Sequence, residues 1–263
     1  MSRKQRVIYY SDVQNDEFSD DNIHPKTIDG NYKYLRENFI GKIFHIFWYR
    51  MIGIPLAKLY MRFYFGHKIV NKEQLMEAKE TGYFMYGNHT HFLADAVVPA
   101  IINLPRAVSV IVHPNNVSMP LLGRITPYLG ALPLPDDIEA GRQFVKAIEY
   151  KIKQRQCVMI YPEAHIWPYY TDIRPFVDTS FRYPIKYSVP TFCLTNTYQK
   201  RKYIKRPRMV TYIDGPFYPD SNLPAKMQKQ ELRAQVYAKM KERALNNNVE
   251  VIRYSKKYHE KSE

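Results

Sequence analysis

Short apolar runs alternate with stretches of helical periodicity from about residue 71 onward. Apolar runs of strand length occupy residues 83–86, 107–112, 157–161, 189–195 and 209–213. Strands separated by helices are typical of layered α/β folds, because each helix returns the chain to the edge of the sheet where the next parallel strand begins. The alternation therefore predicts an α/β fold with a largely parallel sheet and flanking helices.

Composition excludes several other classes of protein. The 263 residues are 45% apolar and 24% charged, close to the average of soluble globular proteins, which excludes global disorder. Two cysteines cannot supply a disulfide framework or a cysteine-rich zinc site. The opening residues lack an apolar core of signal-peptide length, and the longest charge-free stretch, residues 107–123, is interrupted by His113-Pro114-Asn115-Asn116. A spanning helix needs about 20 mostly apolar residues, so we expect none.

The net charge of +14 is unevenly distributed along the chain. Residues 1–30 carry a net charge of −2 and are predicted to form a polar, acidic extension with weak order. Residues 31–66 carry +5 and residues 200–263 carry +9, whereas the centre is nearly neutral. We expect an α/β domain at residues 67–263, ending in an amphipathic helix and a basic tail. The basic flanks indicate contact with an anionic surface.

Residues 31–66 combine many aromatic and aliphatic side chains with regularly spaced positive charges. Lys42, Arg50, Lys58 and Arg62 leave uncharged runs of only seven residues, too short for a spanning helix. Helices of this kind, broken near Gly53 or Pro55, can lie in a bilayer interface while their basic side chains reach the lipid headgroups. This favours a membrane-associating segment in a peripheral or monotopic protein on the cytoplasmic face of a membrane. The alternative is that these helices only cover the core of the following domain.

Polar residues follow the first predicted strand in the segment YFMYGNHTHFLADA, residues 83–96. His89, His91 and Asp95 lie within seven positions, where a strand ends and a helix is about to begin. A histidine held by a carboxylate is the usual general base, because the carboxylate fixes its tautomer and stabilises the imidazolium that forms. Strand ends in open α/β sheets are also where ligands bind. The segment therefore indicates a catalytic site.

The spacing of these residues distinguishes the two histidines. His91 and Asp95, four residues apart, would share one helical face, which is also the arrangement of an idle surface pair. His89 and Asp95 are six residues apart, about 600° of helical rotation, and meet only if His89 lies in the turn before the helix. We predict that His89 is the base and Asp95 its partner, with His91 as the alternative.

The segment GNHTHFLAD resembles the first sequence block of the glycerolipid acyltransferase superfamily, which includes the 1-acylglycerol-3-phosphate acyltransferases. That block consists of Asn-His, four residues and Asp at the end of a strand. Residues 119–135, 158–168 and 187–196 resemble the second, third and fourth blocks, in the same order. The resemblance covers roughly residues 71–215.

The resemblance implies an O-acyltransferase that moves an acyl chain from a thioester donor to a hydroxyl group of a lysophosphatidate-like glycerolipid. The donor would be acyl-CoA or an acyl carrier protein thioester. His89 would take the hydroxyl proton while Asp95 orients it, and this chemistry requires no metal and no bound cofactor.

The sequence departs from the family pattern at three places. The second block usually closes with a basic residue, whereas Pro135-Asp136-Asp137 stands here. Five residues, not four, separate His89 from Asp95. Glu163 is followed by Ala164-His165-Ile166 where the third block continues Gly-Thr-Arg, so the arginine associated with the acceptor's phosphate is missing from its place. Four residues are predicted to bind substrate: Glu163, Arg174, Arg124 and His91. Glu163 would position the acceptor, and Arg174 or Arg124 would replace the missing arginine.

Two other functions are compatible with parts of the sequence. A metal-dependent hydrolase would use His89, His91 and Asp95, together with His165, but zinc sites draw three or four ligands at matched spacing. A nucleic-acid-binding module would use the basic segments, yet no recognised binding motif is present, so we expect no nucleic-acid partner. The most basic run, residues 200–208, has six basic residues in nine and is either a solvated hairpin tip or a contact with anionic headgroups.

Overall fold

A seven-stranded sheet lies at the centre of the computed structural model, which describes residues 5–18, 23–36 and 39–257. The strands, numbered along the chain, are β1 (Arg6–Tyr10), β2 (Lys68–Val70), β3 (Tyr83–Gly87), β4 (Val108–Val112), β5 (Ala131–Pro133), β6 (Cys157–Ile160), β7 (Thr191–Gln199), β8 (Arg208–Phe217) and β9 (Ile252–Lys256). The sheet has the order β2–β8–β7–β3–β6–β4–β5. From β7 to β5 all neighbours are parallel, β8 is antiparallel to β7, and β2 is parallel to β8. The predicted largely parallel sheet is confirmed.

Helices flank both faces of this sheet. They are α1 (Phe39–His45), α2 (Ile54–Tyr60), α3 (Phe92–Asn103), α4 (Asn115–Ser118), α5 (Leu122–Ile125), α6 (Ile138–Lys153), α7 (Arg182–Tyr187) and α8 (Ala225–Ala244). Successive side chains of a strand point to opposite faces. Phe84 and Tyr86 of β3 pack with α6 and α8 on one face, while Tyr83 and Met85 pack with α2 and α3 on the other. The chain therefore has two apolar cores, one on each side of the sheet.

The two ends of the described chain pair with each other. Strands β1 and β9 form a parallel two-stranded sheet, with Arg6 opposite Ile252 and Tyr10 opposite Lys256. The weak order expected near the start of the chain therefore does not hold for β1, because β1 and β9 give each other backbone hydrogen bonds. Residues 1–4 and 19–22 of the predicted extension and residues 258–263 of the predicted basic tail lie outside the described residues.

The aromatic-basic segment is helical from Phe39 to Phe65. It consists of α1, a π-helical stretch Ile46–Gly53, α2, and a second π-helical stretch Met61–Phe65. The predicted break near Gly53 is wrong, since Gly53 has helical dihedral angles of φ −60° and ψ −52°. Pro55, the other predicted break, lies at the start of α2 inside this continuous helical segment, so the helix does not end there either. None of the described helices is both long enough and apolar enough to cross a bilayer.

This helical segment has one buried side and one exposed apolar side. Ala57, Met61 and Phe65 belong to the core that contains α3, as expected of a segment that covers the domain. The outer side exposes large apolar residues: Phe39, Ile40, Ile43, Phe44, Ile46, Phe47, Met51, Leu56, Leu59 and Phe63. An exposed apolar stripe of this size is characteristic of surfaces that meet a membrane or another protein.

Candidate active site

The turn after β3 is held against both neighbouring strands. β3 ends at Gly87, where a Cβ atom would lie only 2.4 Å from Cε of Met159 in β6, so a larger residue would require the Met159 side chain to move. Asn88 is buried and continues the hydrogen bonding with β7: its Nδ2 donates to the carbonyl of Asn196 at 3.0 Å, and the Asn196 N–H donates to its Oδ1 at 2.8 Å. The backbone at the start of the histidine segment is thus fixed by two strands.

The structure brings His89 and Asp95 together in the way their spacing requires. His89 lies in the turn before α3, and Asp95 lies in the first turn of that helix. The Nδ1 atom of His89 is 2.9 Å from Oδ2 of Asp95. The His89 side chain remains 18% exposed, whereas that of Asp95 is only 1% exposed. The pair therefore combines a buried carboxylate with a histidine ring that solvent can reach.

Asp95 is held by several donors in addition to His89. Its Oδ2 accepts hydrogen bonds from the backbone N–H groups of Thr90 at 2.7 Å and His91 at 2.8 Å. Its Oδ1 accepts one from Nδ2 of Asn196 at 3.2 Å, and Asn196 Oδ1 in turn accepts from the Thr211 hydroxyl at 2.6 Å. Donors to both oxygens stabilise the ionised carboxylate and fix its orientation. Sequence reasoning missed Asn196, whose only signal was its place at the end of an apolar run.

The tautomer of His89 follows from this arrangement. A carboxylate can only accept hydrogen bonds, so the proton of the neutral imidazole lies on Nδ1 and the lone pair on Nε2. The ring stacks on Tyr161 with centroids 4.5 Å apart and planes inclined by 17°. The Tyr161 hydroxyl donates to the backbone carbonyl of Asp95 at 2.5 Å, and burial holds the pKa of Tyr161 well above its usual value. Tyr161 is thus a neutral platform that fixes the plane of the histidine ring.

His91, the alternative base, has a different position. Its Nδ1 accepts a hydrogen bond from the Ala94 N–H at 3.2 Å, which caps the start of α3. Its ring makes edge contacts with Phe65 and Tyr169 at centroid distances of 5.0 and 5.5 Å. Burial lowers the pKa of His91, while the nearby Asp95 charge opposes that shift. Asp95 bonds to the backbone of His91 and not to its ring, so this ring lacks the carboxylate partner that His89 has.

Glu163 and Arg174 form a buried pair directly behind His89. Glu163 Oε2 accepts a hydrogen bond from the His89 N–H at 3.1 Å, and its Oε1 accepts one from the Arg174 N–H at 3.1 Å. Nη2 of Arg174 lies 3.5 Å from Glu163 Oε2 and also donates to the carbonyl oxygens of Glu163 and His165. Both side chains are only 1% exposed. Neither can touch an acceptor in this conformation, because the protein already surrounds them; they support the backbone of His89.

The loop after β6 is fastened to the histidine turn and to the terminal strands. The Trp167 N–H donates to the His89 carbonyl at 3.1 Å, and the Tyr169 N–H donates to the Thr90 carbonyl at 2.9 Å. Trp167 is fully buried, with ring centroids 4.9 Å from both Tyr10 of β1 and Tyr254 of β9. The paired chain ends thus cover the loop that supports His89.

The remaining predicted residue, Arg124, lies apart from this cluster. It is exposed on α5 and lines a small cavity together with Lys26 and Arg36. None of the described hydrogen bonds or ring contacts connects it to His89. The structure thus does not bring Arg124 or the buried Arg174 into contact with the exposed side of the base.

Another group of arginines lies at the same edge of the sheet as His89. β7 is parallel to β3, so the loop that follows β7 begins at the edge where the histidine turn lies. Arg206 covers the ring of Tyr64 at 4.3 Å, and Nη2 of Arg201 donates to the Tyr64 carbonyl at 3.1 Å. Burial and the charges of Arg208 and Arg206 lower the pKa of Arg201. Nε of Arg201 and of Arg208 have no hydrogen-bond partner among the described residues.

The donor atoms of the site do not form a metal-binding group within the described part of the chain. No three His, Cys, Asp or Glu side chains converge there. Both oxygens of Asp95 already accept hydrogen bonds from N–H groups, and His165 approaches Glu17 at 3.6 Å. The ligand set suggested for a hydrolase, His89 with His91, Asp95 and His165, is therefore not assembled in this conformation.

Comparison with known proteins places the fold. No protein-family model matches the sequence, and no curated protein sequence matches it significantly. The structure is similar to that of the 1-acyl-sn-glycerophosphate (LPA) acyltransferase PlsC from Thermotoga maritima. The TM-score is 0.54 at 13% sequence identity, and the match covers 82% of this chain and 86% of the other. The chain therefore shares its fold with that acyltransferase structure.

Proposed function

We propose that this protein is an O-acyltransferase that moves an acyl chain from a thioester donor to a hydroxyl group of a glycerolipid acceptor. The observation that carries the proposal is the His89–Asp95 pair, which lies at the carboxyl edge of the sheet in a chain with an acyltransferase fold. An acyl thioester is already activated, so the protein has only to deprotonate a hydroxyl group and stabilise the oxyanion.

In this mechanism Nε2 of His89 accepts the proton of the acceptor hydroxyl as its oxygen attacks the thioester carbonyl carbon. The resulting tetrahedral intermediate expels the thiolate, which takes up the proton from the imidazolium. Asp95 stabilises that transient positive charge, and its buried, fourfold hydrogen-bonded carboxylate is suited to do so. The ester and the free thiol are the products.

The acceptor's phosphate needs a cation that the family arginine does not supply here. Buried phosphate dianions require paired or forked cations. Arg201, Arg206 and Arg208 lie at the edge of the sheet where His89 lies, and the rings of Tyr64 and Tyr169 lead from Arg206 towards His91. We therefore assign the phosphate of a lysophosphatidate-like acceptor to these arginines, in place of Arg124 and Arg174.

The place of action is a membrane surface. The exposed apolar side of residues 39–65 would enter the headgroup region, with Lys58 and Arg62 near anionic lipids. The helix ends at Phe65, whose ring touches that of His91 at 5.0 Å. A lipid acceptor could therefore pass from the membrane to the candidate site along this helix.

The test is an assay of thiol release from a long-chain acyl-CoA in the presence of lysophosphatidate dispersed in mixed micelles, with the lipid product identified by mass spectrometry. We expect transfer by the wild type and by His24→Ala, a variant of an exposed histidine, but not by His89→Ala. Full activity of His89→Ala would refute the assignment of the base. Activity that a chelator abolishes and zinc restores would favour the hydrolase.

A further inference from the structure

A large cationic cavity lies at the edge of the sheet opposite to His89. Its volume is about 640 Å³. Its walls include Ala107, Val108 and Ser109 at the start of β4, Gly130 and Ala131 at the start of β5, and Gln156 directly before β6. These are the amino ends of parallel strands, whereas His89 follows the carboxyl end of β3. The cavity is therefore distinct from the candidate active site.

Lysine and arginine dominate the charge of this cavity. Arg36, Lys42 and Arg50 contribute from one side, and Lys79, Arg106, Lys151 and Arg155 from the strand ends and adjacent helices. No Asp or Glu of the described residues lines it. Such a concentration of like charges in a concave, partly desolvated space produces a strong positive potential that attracts anions.

Several of these cations already form ion pairs or hydrogen bonds with other residues of the protein. Arg155 pairs with Glu80 at 2.8 Å, and Arg106 donates to the carbonyl oxygens of Ala78 and Thr81 at 2.8 and 3.2 Å. Lys42 and Lys79 are exposed at the cavity, and no described carboxylate lies within ion-pair distance of either. They are the side chains that an entering anion would meet.

The cavity also adjoins the exposed apolar stripe of residues 39–65. Lys42 and His45 of α1 line it, while Phe39, Ile43 and Phe44 of the same helix are exposed. A ligand that combines a phosphate group with acyl chains would satisfy both features, since its headgroup would occupy the cavity while its chains remained in the bilayer. A soluble phosphate ester would match the positive charge of the cavity but not the adjacent apolar stripe.

We propose that this cavity binds a phosphate-bearing anion, at a site separate from the acyl-transfer site. Lys42 and Lys79 hold the phosphate, supported by Arg36 on the helical side. The position beside α1 favours the headgroup of an anionic phospholipid over a free phosphate ester. A lipid bound here would anchor the amino-terminal part of the helical segment while the candidate active site remained open to substrate.

The test compares the double variant Lys42→Gln/Lys79→Gln with Lys72→Gln/Lys226→Gln, which removes the same charge from exposed lysines outside the cavity. Binding of inorganic pyrophosphate is measured by calorimetry and by the ligand-dependent rise in melting temperature, at constant ionic strength. We expect the cavity variant to bind at least ten-fold more weakly than the wild type and the control, with an unchanged kcat for acyl transfer in micelles. Equal binding by the two variants, or no binding by the wild type, would overturn the proposal.

A vesicle experiment identifies the source of the phosphate. Vesicles of phosphatidylcholine alone are compared with vesicles of equal parts of phosphatidylcholine and phosphatidic acid. If a lipid headgroup is the ligand, the cavity variant loses the binding that depends on phosphatidic acid, and glycerol phosphate competes for it in the wild type. If the ligand is soluble, the two variants bind both vesicles alike while pyrophosphate binding still differs.

Discussion

The Nδ1 atom of His89 lies 2.9 Å from Oδ2 of Asp95, although one residue belongs to a turn and the other to the first turn of a helix. The five residues between them are one more than the family pattern has. The extended backbone of His91, with φ −159° and ψ 116°, places that additional residue outside the helix. The contact is thus made without distortion of α3.

Asp95→Asn should reduce kcat by about 10² to 10⁴-fold, with little change in folding. Three donors converge on Oδ2, so the amide oxygen of the asparagine takes that position and keeps His89 in the same tautomer. What is lost is the negative charge that stabilises the imidazolium. Single-turnover thiol release measures the effect, and Asp220→Asn, an exposed carboxylate, is the control. If Asp95→Asn kept the kcat of the wild type, the charge of Asp95 would have no role in acyl transfer.

Arg174→Met should destabilise the protein and lower kcat, and should not act through the acceptor's KM alone. Removing one member of a buried ion pair leaves an uncompensated charge, at a cost of about 3 to 5 kcal/mol. The double variant Glu163→Gln/Arg174→Met should recover much of that stability, since neither charge then remains buried. Urea unfolding of the single and double variants forms the thermodynamic cycle. Additive losses would show that the two side chains act independently.

The destabilisation in Arg174→Met should also shrink as the pH falls. Burial already raises the pKa of Glu163, and Arg174 is the main charge that opposes this rise. Without Arg174 the folded-state pKa rises further above the unfolded value, so the folded protein gains stability as acid protonates Glu163. Free energies of unfolding at neutral and mildly acidic pH, compared with those of the wild type, measure the trend. If the loss of stability in Arg174→Met grew as the pH fell, this prediction would be contradicted.

The triple variant Phe39→Gln/Phe47→Gln/Phe63→Gln should bind lipid vesicles at least ten-fold more weakly. Phe39 and Phe63 are 78% and 72% exposed in the protein, and a fully buried phenylalanine side chain contributes about 1.5 to 3 kcal/mol. Ile138→Gln/Val177→Gln/Leu245→Gln alters equally exposed apolar residues elsewhere. Vesicle sedimentation compares the two. Substitutions are preferable to deletion of residues 1–66, because that deletion would remove Met61 and Phe65 from the core. Equal sedimentation of both triple variants would place the membrane contact on another surface.

Arg206→Ala should raise the KM for lysophosphatidate about ten-fold while leaving the KM for an uncharged monoacylglycerol unchanged. Arg206 lies over Tyr64 within the arginine group assigned to the acceptor's phosphate. A rise in KM that affects only the charged acceptor indicates that ground-state binding of its phosphate has been lost. Lys202→Ala, from the same loop, is the control, and Arg124→Ala should have no effect. If Arg124→Ala raised the KM for lysophosphatidate and Arg206→Ala did not, the phosphate would be bound at Arg124 on α5.

His67 should make the protein less stable in mild acid. Its Nε2 lies 2.7 Å from the Thr211 hydroxyl oxygen, and burial lowers its pKa to about 4. Between pH 6.5 and 4 the unfolded chain binds a proton that the folded protein does not, so the free energy of unfolding falls, by up to about 3 kcal/mol. His67→Gln should lose this part of the pH dependence, whereas His24→Gln should retain it. Urea unfolding across this pH range measures the difference. Identical pH profiles for His67→Gln and the wild type would refute it.

The sequence by itself determined the fold class and the contact between His89 and Asp95. Short apolar runs predicted five of the strands, because burial of a central strand on both faces requires a continuous run of apolar residues. The position of His89 before a helical stretch was enough to predict its contact with Asp95, since both lie within one turn and the start of one helix. These features depend on neighbours along the chain.

Only the tertiary structure decided the surroundings of that pair. Asn196 reaches the histidine segment from strand β7, and Glu163 reaches it from the loop after β6. No local pattern encodes the order of these strands in the sheet. Arg174 was expected at an acceptor, but the fold buries it against Glu163. The pairing of β1 with β9 joins residues almost 250 positions apart. Such contacts depend on how distant elements pack, and a local sequence pattern carries no information about a partner that is brought near only by folding.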